Sequence, residues 1–347
     1  MNQLIRTLIV DDSAFVRKVV REMLSRCPYI EVVGAARDGQ EALELAQQLN
    51  PQVITCDLMM PKLDGVGFVR EQMSRAPIPI LILTASPEDG ERALLAMDAG
   101  AVDIVQKPTA LANDDLLGIR EQLVDKVKAA SRAPVGRPRP RPAKSRIPMP
   151  GGGLRPPSRA DIVVIGISTG GPQALRHIIP QFPAQFSIPI AVVLHMPVGY
   201  THLYAQKLNE LCALNVMEAR EGEVLEPGKV LVAQAGRHLL VRRSPAGNVV
   251  AQMSIQPLDL PHRPAVDVLF QSAAEVYGER VLGVVMTGMG SDGKEGAAWI
   301  KARGGTILTE AEESCVIYGM PRVVVEAGLS DGAVPLEQMA QSIMEKI

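Results

Sequence analysis

Apolar and polar positions alternate regularly along residues 1–131. Short, mostly β-branched apolar runs are separated by longer stretches in which apolar side chains recur every three or four positions. The first pattern is typical of buried strands and the second of amphipathic helices. Their alternation predicts a parallel sheet covered by helices on both faces. The predicted strands are Leu4–Val10, Val32–Ala36, Val53–Cys56, Ile78–Leu83 and Val102–Val105, and the predicted helices are Ser13–Cys27, Gly39–Leu49, Gly65–Ser74, Glu88–Ala99 and Leu111–Ala130.

Residues 160–347 repeat this alternation on a larger scale. Two of the strands are joined by Ser244-Pro-Ala-Gly-Asn248, which predicts a β-hairpin within a mostly parallel sheet. The fold class is therefore α/β, with two doubly wound parallel-sheet domains. The predicted strands are Ile162–Ile165, Ile190–Leu194, Val230–Ala233, Leu239–Val241, Val249–Met253, Val281–Met286 and Thr306–Leu308, and the predicted helices are Pro172–Ile179, His202–Leu211, Val266–Tyr277, Gly293–Ala302 and Leu336–Ile347.

Residues 132–159 separate the two domains and differ from both in composition. They combine proline, glycine and arginine with few large apolar side chains, so they cannot bury enough surface to offset the entropy of ordering. They carry 8 basic and no acidic residues, whereas residues 1–131 and 160–347 each carry 14 basic and 19 acidic ones. We interpret the segment as a linker. Arginine-rich tracts can bind nucleic acid, but no aromatic platform or helix-turn-helix pattern accompanies this one.

The remaining composition points to an intracellular globular protein. No apolar run approaches the roughly 20 residues of a membrane span, and the start of the chain lacks a signal-peptide pattern. The expected location is therefore the cytoplasm, without insertion into a membrane. Cysteines at 27, 56, 212 and 315 are widely spaced, which predicts free thiols and neither a disulfide framework nor a zinc site.

Polar side chains cluster at the carboxyl ends of the strands in the first domain. Asp11 and Asp12 follow the first strand, Asp57 ends the third, Thr84 ends the fourth and Lys107 follows the fifth. Ligands of such sheets bind at this edge. Converging carboxylates repel one another unless a hard divalent cation neutralises them, and Mg²⁺ suits oxygen ligands. Each residue alone has a simpler explanation as a helix cap or surface charge, but the set predicts a magnesium and phosphoryl site.

This first domain resembles the flavodoxin-like receiver domain of two-component response regulators. The resemblance is carried by Asp11-Asp12-Ser, Asp57-Leu-Met-Met-Pro61, Thr84-Ala and Lys107-Pro108. It implies that Asp57 accepts a phosphoryl group from a histidine kinase. It also implies that Asp12, Asp57 and the Met59 carbonyl hold Mg²⁺ with help from Asp11, and that Thr84 and Lys107 sense the phosphate.

The second domain places three reactive side chain types at strand ends. Ser168 lies in the turn Gly166-Ile-Ser-Thr-Gly-Gly171, His195 follows Ile190–Leu194, and Asp292 follows the strand ending at Met286 through a glycine-rich loop. Serine, histidine and aspartate are the set that acyl transfer requires. The turn would lift the Ser168 hydroxyl clear of the sheet, and Gly170 and Gly171 would let a backbone or substrate approach.

Simpler interpretations of these residues stay open on sequence grounds. The turn at Ser168 also fits a phosphate-binding loop, and Asp292 also fits an N-cap of the helix that begins near Gly293. His262 fits either a substrate contact or a stabilised loop. The chain order Ser, His, Asp differs from the Ser, Asp, His order of α/β-hydrolases, which argues against membership of that fold family.

Residues 161–347 resemble the catalytic domain of chemotaxis protein-glutamate methylesterases, which makes the second domain Rossmann-like. The matching motifs are Gly166–Gly171, His195-Met-Pro197, His262–Phe270, Met286–Gly293 and Glu313–Arg322. The resemblance implies that Ser168 is the nucleophile, His195 the base and Asp292 its orienting acid, that Thr169 and Met289 assist the oxyanion, and that the esterase needs no cofactor.

Two functions follow as hypotheses. The first is a phosphorylation-activated esterase that removes methyl esters from glutamates of methylated chemoreceptors and also deamidates receptor glutamines, with no nucleic-acid partner. The alternative is a response regulator whose second domain binds a nucleotide or nucleic acid through the glycine turns and the basic linker.

Overall fold

The computed structural model of the protein describes residues 4–107, 116–133, 135 and 160–347. Its internal contacts divide the chain into two units, Met1–Arg139 and Pro140–Ile347, each with its own sheet. The predicted linker lies almost entirely outside the described residues, as does the predicted helix start at Leu111. Within the described ranges, no helix combines the length and the apolar character needed to cross a bilayer.

The sheet of the first unit has five parallel strands in the order β2-β1-β3-β4-β5. The order reverses between β1 and β3, and such a switch point is where open α/β sheets bind their ligands. The strands are β1 Ile5–Val10, β2 Ile30–Ala36, β3 Val53–Asp57, β4 Ile80–Thr84 and β5 Asp103–Gln106, and the helices are α1 Ala14–Ser25, α2 Gly39–Leu49, α3 Gly65–Arg75, α4 Gly90–Asp98 and α5 Leu116–Ala130.

Side-chain caps fix where three of these helices begin. Ser13, Asp38 and Asp64 each accept a hydrogen bond from a backbone N–H in the first turn of α1, α2 and α3. Such a cap contributes about 1 kcal/mol. The helix predicted from Glu88 instead begins at Gly90, after a 3₁₀ turn over Pro87–Asp89. Asp89 does not cap α4, because its carboxylate faces the Thr84 hydroxyl at 3.4 Å.

The second unit is built on seven parallel strands in the order β14-β13-β12-β6-β7-β9-β8. The middle strands β12, β6 and β7 are completely buried and apolar, as expected for a sheet covered on both faces. The strands are β6 Ile162–Ile167, β7 Ile190–Leu194, β8 Asn215–Glu218, β9 Lys229–Val232, β12 Val281–Val285, β13 Thr306–Glu310 and β14 Gly332–Val334, and the helices are α6 Gly171–Ile178, α7 Thr201–Asn209, α8 Val266–Tyr277, α9 Lys294–Ala302, α10 Met320–Glu326 and α11 Leu336–Met344.

The predicted hairpin is present as an antiparallel pair, β10 His238–Arg243 and β11 Val249–Ser254. Its chain reversal is closed by the Ser244 N–H, which donates to the Asn248 carbonyl at 2.8 Å. The hairpin packs on α8, where the Ser272 hydroxyl accepts the Val241 N–H at 3.1 Å. The hairpin therefore packs against α8, one of the helices that cover the sheet.

Strands β8 and β14 and helix α10 were not predicted from the sequence. The two strands lie at the opposite edges of the sheet and are four and three residues long. Edge strands bury one side only, so they lack the continuous apolar run that marks the central strands. Helix α10 is seven residues long and follows Gly319. Its length is below the window in which helical periodicity can be recognised.

Candidate active site and phosphorylation site

The carboxyl edge of the first sheet holds a buried cation between two carboxylates. The Lys107 Nζ lies 2.9 Å from Asp11 Oδ2 and 2.8 Å from Asp57 Oδ1. Burial alone would lower the pKa of Lys107, but its bonds to both aspartates raise it overall. Burial raises the pKa of Asp57, against the opposing effect of Lys107. The lysine therefore stays charged and offsets part of the carboxylate repulsion.

The other residues predicted for this site lie around Asp57. Thr84 is buried at the end of β4, one strand away from Asp57. The backbone of Met59 donates a hydrogen bond to the Asp57 carboxylate, while the Met59 side chain is exposed. The Leu58 N–H donates to Asp57 Oδ1 at 2.7 Å. Asp57 is thus held by two backbone amides and one lysine.

The donor set at this edge fits a hard divalent cation. One carboxylate oxygen each from Asp11, Asp12 and Asp57 lies within 4.8 Å of the others. Asp12 is exposed while its two partners are buried, so the cluster opens to solvent on one side. Oxygen ligands with room for retained water are what Mg²⁺ prefers. The residues present are therefore compatible with the predicted magnesium site.

In the second unit, Ser168 lies in a sharp turn between β6 and α6. Its N–H donates to the Thr287 carbonyl at 3.0 Å, and its own carbonyl accepts the Gly171 N–H at 2.7 Å. Gly170 has a φ of 80°, which only glycine adopts without strain. A Cβ on Gly170 would collide with Val316, and one on Gly171 would lie 2.6 Å from Leu194 Cδ1. These glycines thus admit neighbouring side chains, and the approach of a backbone or substrate to them stays a prediction.

His195 and Asp292 meet at the same edge of the sheet. His195 follows β7, and its Nε2 lies 2.9 Å from Asp292 Oδ2. The other ring nitrogen, Nδ1, is buried and has no protein hydrogen-bond partner in the described part of the chain. The His195 N–H donates to the Ile167 carbonyl at 3.1 Å, which ties the residue to the turn that carries Ser168. An imidazole held this way has one nitrogen left to accept a proton.

Asp292 is anchored by the amino terminus of a different helix from the one that it precedes. Its Oδ2 accepts the Val266 N–H at 2.8 Å and its Oδ1 accepts the Asp267 N–H at 2.9 Å, both in the first turn of α8. The interpretation of Asp292 as a cap of the following helix is therefore wrong, since α9 has no side-chain cap of its own. Burial opposes ionisation of Asp292, but His195 and the two amides outweigh it and lower its pKa.

Thr169 and Met289 lie beside the turn at Ser168 on two different segments. Thr169 is buried at the start of the α6 turn, and Met289 is half-buried in the loop after β12. Because the Ser168 N–H is already bonded to Thr287, it is not free to bind a developing negative charge. The geometry leaves the roles predicted for Thr169 and Met289 as predictions.

Comparisons with known protein families identify both units. The model of the CheB methylesterase family matches residues 163–343, more than half of the chain. The chain belongs to the CheB methylesterase family. A second match, to the response regulator receiver domain, covers residues 7–117. The protein is thus a methylesterase with an amino-terminal receiver domain, and nothing in the comparisons favours an output domain that binds nucleic acid.

Individual relatives of this family match nearly the whole chain. A protein-glutamate methylesterase/protein-glutamine glutaminase of Myxococcus xanthus is 49% identical over 96% of this chain and 96% of its own length. One from Symbiobacterium thermophilum is 44% identical over 99% of this chain and 97% of its own length. The crystal structure of the Thermotoga maritima CheB methylesterase catalytic domain superposes with a TM-score of 0.53 and 40% identity, covering 54% of this chain and 99% of that one.

The methylesterase site contains a buried network that the sequence did not predict. The Thr287 hydroxyl donates to the Thr169 carbonyl at 2.9 Å and accepts the Ile317 N–H at 3.0 Å. The Thr287 N–H in turn donates to Glu310 Oε2 at 2.9 Å, and Glu310 is fully buried. Strand β13 extends to Glu310, two residues past its predicted end. With the correct strand end, Glu310 would have been recognised at the same edge as Ser168.

Two other histidines of the methylesterase unit, His262 and His238, differ in their surroundings. His262 stacks on His195 with ring centroids 4.2 Å apart and an angle of 27° between the rings. His238 is fully buried, and its ring bonds to the Pro257 carbonyl and the Ala265 N–H. His262 therefore lies against His195, and its contact with substrate stays a prediction. His238 stabilises the loop before α8.

Proposed function

We propose that the protein hydrolyses γ-glutamyl methyl esters of chemoreceptors, releases methanol, and converts receptor glutamines to glutamates at the same site. Ser168, His195 and Asp292 are the proposed catalytic residues. The observation that carries the proposal is the 2.9 Å contact between His195 Nε2 and Asp292 Oδ2, with Nδ1 left without a partner in the described structure. The Ser168 turn is tied to the His195 backbone at the same edge.

The acylation step follows from this tautomer. With Nε2–H donated to Asp292, the lone pair of His195 Nδ1 takes the proton of the Ser168 hydroxyl as Oγ bonds to the ester carbonyl carbon. The tetrahedral intermediate then loses methoxide, which takes the proton back from His195 and leaves as methanol. For a glutamine side chain the leaving group is ammonia. The low pKa of Asp292 keeps it ionised while His195 carries the proton.

Deacylation uses the same groups in reverse. His195 removes a proton from water, the hydroxide oxygen bonds to the acyl carbon, and the Ser168 ester bond breaks with return of the proton to Oγ. The product is a glutamate carboxylate. We assign Thr169 and Met289 to stabilisation of the oxyanion, and this is supported by the fact that the Ser168 amide itself is bonded to the Thr287 carbonyl.

The receiver domain is proposed to control this reaction. Asp57 would accept a phosphoryl group from a chemotaxis histidine kinase. Asp12, Asp57 and the Met59 carbonyl, with Asp11, would hold Mg²⁺, which neutralises the charge on the transferring group. The buried ion pair of Lys107 with Asp57 supports a role for Lys107 in sensing the phosphate, and Thr84 at the end of β4 is the second proposed sensor.

A location in the cytoplasm is part of the proposal. The four cysteines are free, and three of them are buried, which suits a reducing compartment.

Methanol release from methylated receptor tests the function directly. We expect the protein to release methanol, faster with Mg²⁺ and a small phosphodonor, and we expect the Ser168→Ala protein to release none. If Ser168→Ala protein released methanol at a rate close to that of the unmodified protein, the assignment of the nucleophile would be wrong. If neither protein acted on receptor while Ser168 still reacted with a serine-directed phosphonate, the substrate would be wrong and the triad correct.

A further inference from the structure

Helices α8 and α9 cap one another through two aspartates. Neither helix has a side-chain cap from its own preceding residue, since Ala265 and Gly293 occupy those positions. Asp292, which precedes α9, accepts the first two amides of α8. Asp267, in the first turn of α8, accepts the Gly293 N–H at 2.9 Å and the Gly296 N–H at 2.7 Å through its Oδ1. Each carboxylate therefore stabilises the start of the other helix.

This exchange of caps restrains both the carboxylate of Asp292 and the backbone next to it. The amides of α8 orient its carboxylate, while Asp267 holds the N–H of Gly293, the residue directly after Asp292 in the chain. The two carboxyl groups are also close enough that Asp292 contributes to raising the pKa of Asp267, after the larger effect of burial. Any shift of Asp267 thus moves both the backbone next to Asp292 and the helix start to which the Asp292 carboxylate is bonded.

The contact between the helices leaves little room for such a shift. A Cβ on Gly296 would lie 2.9 Å from the Asp267 Cα and 2.5 Å from the Phe270 Cβ. The close approach of α9 to α8 at Gly296 therefore sets the distance at which Asp267 reaches both amides. A longer acid at position 267 has no space to bond both amides unless the helices separate.

We propose that Asp267 is a positioning residue for the hydrolysis, which holds Asp292 in register with His195 through the paired caps of α8 and α9. The inference rests on the triad proposed above, because it assigns to Asp267 an effect on His195 that passes through Asp292. Asp267 itself touches neither the substrate nor the reacting atoms in this scheme.

Three substitutions separate the possible roles of Asp267. Asp267→Asn keeps an oxygen that can accept both amides and a donor toward Asp292. Asp267→Ala removes the cap, and Asp267→Glu keeps the charge while displacing the cap. Asp331→Asn is the matched control, because Asp331 accepts a backbone amide of the same sheet, that of Ile307 at 2.8 Å, without contact to the triad.

The experiment measures kcat and KM for methanol release by the full chain, together with the rate at which a phosphonate labels Ser168. We expect Asp267→Ala and Asp267→Glu to lower kcat and the labelling rate by about tenfold to a hundredfold with KM within twofold, as for a small misplacement of a catalytic group. Asp267→Asn and Asp331→Asn should stay within about threefold of the unmodified protein. The His195–Asp292 proton, observed by NMR, should shift only in the first two variants.

Several outcomes would overturn the proposal. One is a folded Asp267→Ala protein with kcat and labelling rate within twofold of the unmodified protein. If Asp267→Ala fails to fold, Asp267→Glu decides, and unchanged labelling in that variant would overturn the proposal as well. A rise in KM with kcat unchanged would assign Asp267 to substrate binding instead. Because phosphonate labelling does not depend on the ester, these outcomes are distinct from failure of the proposed receptor substrate.

Discussion

The rings of His195 and His262 stack with centroids 4.2 Å apart, so the proposed catalytic base is held on one face by a second imidazole. The flat contact limits rotation of the His195 ring about its long axis, and the bond to Asp292 fixes its edge. Two contacts in different directions define the orientation of the imidazole.

The stacking predicts a difference between two substitutions of His262. His262→Ala removes the ring and should lower kcat about tenfold, because the His195 ring gains freedom of rotation. His262→Phe retains a flat ring of similar size and should lose much less activity. Both would be measured as methanol release at fixed pH. Equal loss in the two variants would show that His262 acts through its nitrogens and not through stacking.

The effects of substitutions in the proposed triad on kcat should be far from additive. Ser168→Ala and His195→Ala are each expected to reduce kcat by a factor on the order of 10⁴ or more, and the double variant should be little worse than either one. Asp292→Asn should also lower kcat strongly, but less than either of these substitutions, because it disturbs the orientation of His195 and leaves the nucleophile and the base in place. Multiplicative losses in the double variant would contradict a shared mechanism.

Thr287 offers a test of the buried network under the Ser168 turn. Thr287→Val has a similar shape but leaves the Thr169 carbonyl and the Ile317 N–H without this partner, which should lower the free energy of unfolding by about 1–3 kcal/mol. Thr287→Ser keeps the hydroxyl and is the control. Urea unfolding would be followed by the fluorescence of Trp299, the single tryptophan of the chain. Equal stability of the Val and Ser variants would exclude the hydroxyl as the important group.

Asp267 should make the stability of the second unit depend on pH. Burial, with the nearby Asp292 charge adding to it, raises the pKa of Asp267 to about 6, whereas the pKa of an aspartate in an unfolded chain is about 3.9. Asp267 therefore keeps its proton to higher pH in the folded protein than in the unfolded chain. As a result the free energy of unfolding falls as pH rises from about 4 through about 6. Asp267→Asn lacks this titration. The free energy of unfolding of the unmodified protein minus that of the variant should therefore be lower at pH 7 than at pH 4. Urea unfolding of both proteins at the two pH values measures this difference.

Phosphorylation should require Asp57 and a divalent cation. Asp57→Asn is expected to incorporate no phosphate from a small phosphodonor, and chelation of Mg²⁺ should abolish incorporation into the unmodified protein. Asp64→Asn is a matched control, since Asp64 caps α3 in the same unit and lies outside the carboxylate cluster. Normal incorporation into Asp57→Asn protein would place the acceptor elsewhere.

The parts of the structure that could be predicted are those with a strong local signal. The run Ile80–Thr84 is buried on both faces and could be recognised as a strand from its composition alone. The proposed catalytic residues could be brought together on sequence grounds because the carboxyl ends of parallel strands share one edge. By contrast, β8 contains both Asn215 and Glu218 and has the composition of a loop.

The capping exchange between Asp267 and Asp292 could not be predicted for a different reason. An aspartate before a helix is expected to cap that helix, and nothing local to Asp292 indicates that its carboxylate reaches Val266 instead. The partner lies 26 residues away in the chain and becomes a neighbour only when α8 and α9 pack together. The same holds for Glu310, whose role depends on its bond to the N–H of Thr287, which lies 23 residues away in the loop that follows the adjacent strand β12.

The two outermost strands of the seven-stranded sheet bear on how the protein avoids self-association. Strands β14 and β8 expose only three and four residues of unpaired backbone. Short edges give an incoming strand from another chain few hydrogen bonds, so edge-to-edge aggregation is disfavoured. The sheet is therefore protected along both sides, while the strand ends that carry Ser168 and His195 can stay uncovered for a substrate as large as another protein.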